Sequence, residues 1–281
     1  MSTRRQIVRS VAASLETLYG EREARQIALL AVAELAGLRT TDLLVDPDQL
    51  LDVDGLEHIV TELSAGRPLQ YVLGSTDFCD LRIGVREGVL IPRPETEELV
   101  QWVVRENAAA TQLLDIGTGS GCIALALKCQ LPQATVLATD LSEDALTVAR
   151  ENATALNLAV EFRRADALHD LTTVFPESFD AIVSNPPYIP QNERSAMRCN
   201  VTDYEPMEAL FVPDDDPLLF YRSIAHAAHQ MLTLGGRIYY EIHENFSREV
   251  CNLLRTEGFS EVQLRNDFND KPRMVCGRKR A

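Results

Sequence analysis

No apolar run in this chain approaches membrane-spanning length, which excludes an integral helical membrane protein. The opening residues, Met1-Ser2-Thr3-Arg4-Arg5, lead into a polar helical pattern and lack the apolar region of a secretory signal. No two of Cys79, Cys122, Cys129, Cys199, Cys251 and Cys276 stand at CxxC spacing, so no zinc or other metal site is expected. Cys122 and Cys276 lie in apolar settings and read as small core residues. Scattered thiols without a framework suit a reducing cytoplasm. Positive charge is also scarce: 27 Lys and Arg against 42 Asp and Glu give a net charge of -15. That argues against a protein whose affinity rests on neutralising bare phosphate backbone. Basic residues crowd only at the end, where Lys271, Arg273, Arg278, Lys279 and Arg280 read as a solvated tail. Internal repeats and low-complexity segments are missing. What remains is 281 residues, 46% apolar, enough for one large domain or two smaller ones.

Three regions follow from the patterning. Residues 1–74 read as a small helical bundle for recognition. Ile27, Leu30, Ala31 and Leu35 recur at helical spacing until Gly37 stops the helix, Thr40 or Thr41 can cap the next, and Asp54 with Glu57 reads as a capping box. Residues 75–95 read as a β-hairpin linker. The β-rich pieces around it are Leu69–Leu73, Phe78–Val85 and Val89–Ile91, broken by Gly74, Gly84 and Gly88. Pro94, Glu95 and Glu97 then open a helix carrying Leu99, Val100, Val103 and Val104, and Trp102 among them reads as packing. From residue 96 to 281, strands and helices alternate, which predicts a mostly parallel sheet with helices on both faces. The last two strands, near Glu261–Arg265 and Arg273–Gly277, predict an antiparallel hairpin at its edge.

The first of these strands runs into Asp115-Ile116-Gly117-Thr118-Gly119-Ser120-Gly121, and a helix follows. Glycines there permit a tight turn and close backbone approach to a ligand at the helix N-terminus. A dinucleotide fingerprint needs glycine where Cys122 stands, and no Lys-Ser/Thr pair closes a Walker loop. Asp140 ends the second strand and is placed to accept ribose hydroxyls, and Asp166 ends the third and is placed to accept an adenine amine. With neither a phosphate-binding lysine nor the third glycine, a nucleoside cofactor without pyrophosphate fits best, S-adenosylmethionine foremost.

Asn185-Pro186-Pro187-Tyr188 follows the apolar strand Ala181-Ile182-Val183. Two prolines cannot extend a sheet, so they fix a stiff turn between an amide and an aromatic ring. That pair of groups suits a planar ligand carrying an NH2, either a nucleobase amine or a carboxamide. His226 and His229 share a helix face without a third ligand, Arg93 and Glu97 read as an ion pair, and His243 lies between Glu241 and Glu244.

On these residues the chain resembles the HemK-type release-factor glutamine methyltransferases. The resemblance is carried by Gly66–Tyr71, Val89–Glu97, Asp115–Gly121, Asp140, Asn185–Ile189 and Tyr204-Glu205-Pro206. The Asn-Pro-Pro-Tyr tetrad alone is shared with N6-adenine methyltransferases, and the Ile-Pro-Arg-Pro-Glu-Thr-Glu segment is far more specific. The chain departs from the family pattern at Phe211–Pro217 and at His243. The resemblance implies a Rossmann-like class I S-adenosylmethionine-dependent methyltransferase sheet behind an N-terminal helical bundle. It implies methyl transfer to the side-chain N5 of the glutamine in the Gly-Gly-Gln loop of class 1 peptide chain release factors. The thiols add a cytoplasmic location, the acidic balance an expectation of no direct nucleic acid partner, and a monomer is expected.

Carried over residue by residue, Gly117, Thr118, Gly119, Ser120, Gly121 and Asp140 would hold the cofactor, with Asp166 and Ala167 flanking its adenine. Asn185 would touch both cofactor and acceptor, and Pro186, Pro187 and Tyr188 would complete the acceptor pocket, with Asn185, Pro186 and Tyr188 carrying the catalysis. The competing readings are an N6-adenine DNA or RNA methyltransferase, an NAD-dependent oxidoreductase and a non-catalytic binding module on the same fold.

Overall fold

The computed structural model describes residues 2–280. They divide into two compact units: one up to Ser75 together with Arg198–Tyr204, and one of Thr76–Met197 together with Glu205 onward.

The first unit is helical. Its elements are β1 (Ser2–Thr3), α1 (Arg4–Tyr19), α2 (Glu21–Ala36), α3 (Thr40–Val45), β2 (Leu50–Leu51), α4 (Leu56–Ser64) and α5 (Leu69–Leu73). Thr3 and Gln6 form a reciprocal capping box that starts α1. Ile7, Val8, Val11 and Leu15 then line its buried face against Ala24, Ala28 and Ala31 of α2. Gly37 ends α2 in the left-handed conformation, as its position predicts. Other sequence expectations fail here. Arg39, not a threonine, caps α3, and Gly55 precedes α4 with no side-chain cap from Asp54. Leu69–Leu73 is a helical turn and not a strand, set between Pro68 and Gly74 with Tyr71 buried. The strand pair β1–β2 is antiparallel. The segment Arg198–Tyr204, which holds α10 (Cys199–Thr202), belongs to this unit through an Arg198–Glu23 ion pair at 2.7 Å and a Tyr204 hydroxyl donating to the Ala65 carbonyl at 3.2 Å.

The second unit begins within the hairpin of β3 (Ser75–Phe78) and β4 (Leu81–Gly84), at Thr76. Val89–Ile91, expected as a further β piece, joins no sheet, although Val89 and Ile91 are both buried. There follow α6 (Pro94–Glu106), β5 (Gln112–Ile116), α7 (Cys122–Gln130), β6 (Thr135–Asp140), α8 (Glu143–Leu156), β7 (Val160–Arg164), α9 (Leu171–Val174), β8 (Phe179–Ser184), β9 (Ile189–Pro190), β10 (Phe211–Val212), α11 (Leu219–Met231), β11 (Leu232–Glu241), α12 (Ser247–Thr256), β12 (Phe259–Asn266) and β13 (Pro272–Lys279).

Seven of these strands form one sheet in the order β12-β13-β11-β8-β5-β6-β7. The pairs from β11 to β7 are parallel and the two involving β13 are antiparallel, as the sequence predicts. Strand β5 is the middle of the five parallel strands. The chain steps outward through β6 and β7 on one side and through β8 and β11 on the other, so a switch point lies at the carboxyl ends of β5, β6 and β8.

Helices α11 and α12 cover one face, where Ile224, Ala228, Val250 and Leu254 pack against Leu114, Ile182, Ile238 and Tyr240. Trp102 of α6 is fully buried edge-on to Tyr239, with Arg265 over its indole at 3.9 Å. Glu106 at the end of α6 gathers Trp102, Arg237, Tyr239 and Arg265 around one carboxylate. The basic residues near the C-terminus do not form a free tail. Arg273 pairs with Asp267 at 3.0 Å, Arg278 with Glu261 at 2.9 Å, and Lys279 donates to the Leu232 carbonyl at 2.7 Å, because the hairpin that carries them is docked on the sheet. Among the described residues no helix is long and apolar enough to cross a membrane, and no cluster of His, Cys, Asp or Glu is arranged to hold a metal.

Candidate active site

The glycine loop leaves β5 and folds over the end of β6. The amides of Gly117 and Thr118 both donate to the Thr139 carbonyl at 2.9 Å, and the Gly121 amide donates to the Thr118 carbonyl at 2.8 Å. Gly117, Gly119 and Gly121 all have positive φ, which glycine tolerates and side chains resist. Their surroundings differ. A Cβ at Gly117 or Gly119 would meet nothing within 4 Å, whereas one at Gly121 would lie 3.1 Å from the Ala149 Cβ. The first two glycines therefore leave the loop surface open, and the third lets α7 pack against α8.

Two carboxylates brace the loop. Asp140 Oδ2 accepts the Gly119 amide at 2.9 Å and its Oδ1 accepts the Ser142 amide at 3.0 Å. Burial raises its pKa despite those donors. Asp115, fully buried, accepts the Thr118 hydroxyl at 2.6 Å. Burial pushes it up to about 7, against the pull of that hydroxyl. Asp115 Oδ1, Ser120 Oγ and Thr139 Oγ1 are buried with no hydrogen-bond partner among the described residues. Unsatisfied buried polar atoms are costly, and their gathering under the loop marks it as a polar site.

An open glycine surface, orphaned acceptors and buried carboxylates fit a cationic nucleoside cofactor. Among the described residues no Lys or Arg hydrogen-bonds to this loop. Asp166 stands two residues beyond the end of β7. Burial works against its ionisation, yet the His169 ring at 2.8 Å and the Leu168 amide at 2.8 Å hold its pKa below the ordinary value. The Ala167 carbonyl accepts the Ser223 hydroxyl at 2.7 Å, which fixes the turn beside it.

The tetrad leaves β8 next to this loop, since Ser184 pairs with Ile116 in the sheet and its hydroxyl donates to the Ile116 carbonyl at 2.7 Å. Pro186 is buried, and Asn185, Pro187 and Tyr188 are half-buried. Directly after the corner, β9 pairs in parallel with β10, so Phe211 and Val212 brace the exit of the tetrad. This is the segment in which the chain departs from the family pattern.

Two residues missed by the sequence reading join the corner. Asn185 Nδ2 lies 3.4 Å from Thr96 Oγ1, and that hydroxyl donates to Glu241 Oε2 at 2.6 Å. The Tyr188 hydroxyl donates to Glu241 Oε1 at 3.1 Å. Glu241 is 1% exposed. Burial raises its pKa, against the bonds from Thr96 and Tyr188 and the charge of Arg273. Burial and the Glu241 charge together push the Tyr188 phenol up, so Tyr188 keeps its proton. A signal for Glu241 was present: it is an acid ending an apolar strand, as Asp115 and Asp140 are.

Arg93 does not pair with Glu97. It donates to Glu205 at 2.6 Å, and Glu205 also accepts the Ile91 amide at 3.1 Å. His243 sets its ring edge-on to Tyr188, accepts the Asn245 amide on Nδ1 at 3.2 Å and directs Nε2 at Glu193, also at 3.2 Å. His226 faces Glu257 at 3.5 Å, and His229 packs edge-on to Phe259.

Residues 6–74 match the family described as the PrmC N-terminal domain, and residues 95–201 match the methyltransferase small domain. A release factor glutamine methyltransferase from Bacteroides thetaiotaomicron is 40% identical over 95% of this chain and 96% of its own length. The protein of that name from Flavobacterium psychrophilum is 39% identical over 93% and 94%, and that from Chlorobaculum tepidum 40% identical over 88% and 87%. Among solved structures, the hMettl16 catalytic domain in complex with an RNA hairpin covers 77% of this chain and 81% of its own, with a TM-score of 0.58 and 20% identity. A methyltransferase from Pyrococcus furiosus covers 72% and 90%, with a TM-score of 0.53 and 18% identity. Those two likenesses establish the Rossmann-like methyltransferase fold. The agreement in sequence along nearly the whole length establishes more: the chain belongs to the family of release factor glutamine methyltransferases.

Proposed function

We propose that this enzyme transfers a methyl group from S-adenosylmethionine to the side-chain N5 of the glutamine in the Gly-Gly-Gln loop of class 1 peptide chain release factors. Gly117 to Gly121, with Asp140, hold the cofactor, and Asp166 and Ala167 flank its adenine. S-adenosylmethionine, when bound, supplies a methyl group activated by its sulfonium charge, which Asp115 and Asp140 suit electrostatically.

The rest is done by the corner that follows β8. A carboxamide nitrogen is a poor nucleophile because its lone pair is delocalised into the carbonyl. Asn185 Oδ1 and the Pro186 carbonyl each accept one of its two N–H bonds, which aims the face of the nitrogen and favours pyramidal geometry. Pro187 and the ring of Tyr188 bound the amide plane. Catalysis is then mainly positioning, for which aligned groups reach effective molarities on the order of 10⁵ M or more. No general base is needed before transfer, since the proton can leave afterwards. The protonated Tyr188, its hydroxyl directed at Glu241, agrees with a site that orients the amide.

The helical unit, residues 1–74, recognises the release factor, and the methyltransferase unit, residues 96–281, carries the chemistry, with the hairpin region 75–95 linking them. A protein substrate engaged in translation places the reaction in the cytoplasm, and the enzyme acts as a monomer without nucleic acid.

The single observation that carries this reading is the Asn185–Tyr188 corner leaving β8 beside the glycine loop of β5, the two strands being direct neighbours. The test is mass analysis of the Gly-Gly-Gln peptide after incubating enzyme, S-adenosylmethionine and a release factor. A gain of one methyl on that peptide is expected. An unmodified peptide, with methyl appearing instead on DNA or RNA, overturns the reading.

A further inference from the structure

We infer that Thr96 and Glu241 are positioning residues that dictate which end of the Asn185 amide faces the substrate, an inference that rests on the methyl-transfer reading above. The argument is one of proton counting. A primary amide has a donor end and an acceptor end of nearly equal size, so shape alone does not choose between its two flipped states. Something next to it must accept only or donate only.

Glu241, as a carboxylate, accepts only. Its two oxygens are each taken by one hydroxyl, Thr96 on Oε2 at 2.6 Å and Tyr188 on Oε1 at 3.1 Å. Burial raises the Glu241 pKa, and the two hydroxyl bonds and the charge of Arg273 work against that rise. A hydroxyl directed at each oxygen is the geometry of a group that accepts at both. Thr96 has a single hydroxyl proton, and the bond to Glu241 uses it. What Thr96 offers Asn185 is therefore a lone pair, and the amide end that meets it at 3.4 Å is the NH2. That leaves Oδ1, which accepts nothing from the described residues, at the other end of the same planar amide, turned away from Thr96 and available to an incoming N–H.

The frame that holds this relay is rigid. Thr96 lies buried in the first turn of α6, fixed by Pro94 at the helix start. Glu241 ends β11, paired in register with Met274, and its carbonyl accepts the buried Tyr221 hydroxyl at 3.2 Å. The carboxylate that orients Asn185 also anchors Tyr188, so one buried group aligns both ends of the corner.

The experiment compares Thr96→Val, Thr96→Ser and Glu241→Gln with the wild-type enzyme. It measures kcat and KM on a release factor, the dissociation constant for S-adenosylmethionine by calorimetry, the melting temperature, and the NMR proximity of the Asn185 side-chain NH2 to residue 96. Valine keeps the shape of threonine and removes the hydroxyl. It is expected to lower kcat on the order of 10²-fold, the scale set by misplacing a reacting group, with cofactor affinity and melting temperature little changed. The NH2 proximity to residue 96 should be lost with it. Serine restores the hydroxyl and should hold both kcat and that proximity at wild-type levels. Glutamine at 241 can donate through its own NH2, which reverses one arm of the relay, and kcat should fall again. The inference is overturned if Thr96→Val keeps wild-type kcat, if its NH2 proximity persists, or if kcat falls only in step with cofactor affinity. Should the wild-type enzyme leave the Gly-Gly-Gln peptide unmodified, the functional reading fails separately, and the NMR comparison still decides the orientation of Asn185.

Discussion

Arg93 and Glu205 meet at 2.6 Å across 112 positions of sequence, joining the Pro-Arg-Pro-Glu-Thr-Glu segment to the Tyr-Glu-Pro motif. Glu205 is buried, and its second oxygen takes the amide of buried Ile91. The pair thus fixes the approach to α6, the helix that presents Thr96.

Replacing Glu205 with alanine strands the Ile91 amide, because Arg93 is partly exposed and can rehydrate while Ile91 cannot. A loss of about 1–3 kcal/mol is expected from the unsatisfied donor. Glu205→Gln keeps one acceptor oxygen and should recover part of it. Urea unfolding of the three proteins measures the difference, and equal stability of Glu205→Ala and wild type would refute the bracket.

Asn185→Ala removes the acceptor oxygen of the corner without touching the glycine loop. Turnover should fall severely while affinity for S-adenosylmethionine changes little. Initial rates and calorimetry on the same preparation decide it, and parallel loss of both would count against a role centred on the acceptor amide.

Alanine at Gly119 and at Gly121 should act differently although both positions have positive φ. At Gly119 the new methyl meets nothing within 4 Å, so the cost is backbone strain alone, about 1–2 kcal/mol. At Gly121 it also meets the Ala149 Cβ at 3.1 Å and Cα at 3.3 Å, and backbone cannot swing aside. Overpacking of this kind adds about 1–3 kcal/mol. Thermal denaturation should rank Gly121→Ala below Gly119→Ala, and the reverse order would contradict the assigned α7–α8 contact.

Asp115 gives the ligand-free protein a pH dependence. Its folded pKa, pushed up to about 7 by burial, stands above the unfolded value of roughly 3.9. The folded state therefore binds more protons between those values. The group's contribution is fully present below the unfolded pKa and is lost as pH rises through about 7. Asp115→Asn removes the titration. Wild type should lose stability relative to this variant between about pH 4 and about pH 8 in urea unfolding, and parallel pH profiles would refute the shift.

Local signals carried most of the fold. Gly37 and Pro94 act where the sequence places them, and the alternation of strands and helices located the parallel sheet. Leu69–Leu73 misled because five residues are too few to reveal a period. The better signal was punctuation, Pro68 before and Gly74 after. Val89 and Ile91 do alternate inward like a strand, but the segment joins none of the sheets among the described residues, which no local pattern reveals.

The residues of the site were legible by motif, whereas their connections were not. Thr96 and Glu241 are 145 positions apart, and only the stacking of α6 beside the end of β11 makes them one unit. Arg93 was matched to Glu97 because sequence ranks nearby charges first, and the fold supplied a distant one that was already desolvated.

Asn152 carries a consequence for the ageing of the protein. Its amide oxygen accepts the Gly84 amide at 2.8 Å, and its nitrogen donates to the Gly84 carbonyl at 2.9 Å and the Ser120 carbonyl at 2.8 Å. Deamidation would put a negative oxygen against two carbonyls and break the link Asn152 makes between Gly84 and the Ser120 carbonyl. Burial within α8 holds the backbone there in a helical shape that disfavours the cyclisation deamidation requires, so the position is protected by the same order that makes it indispensable.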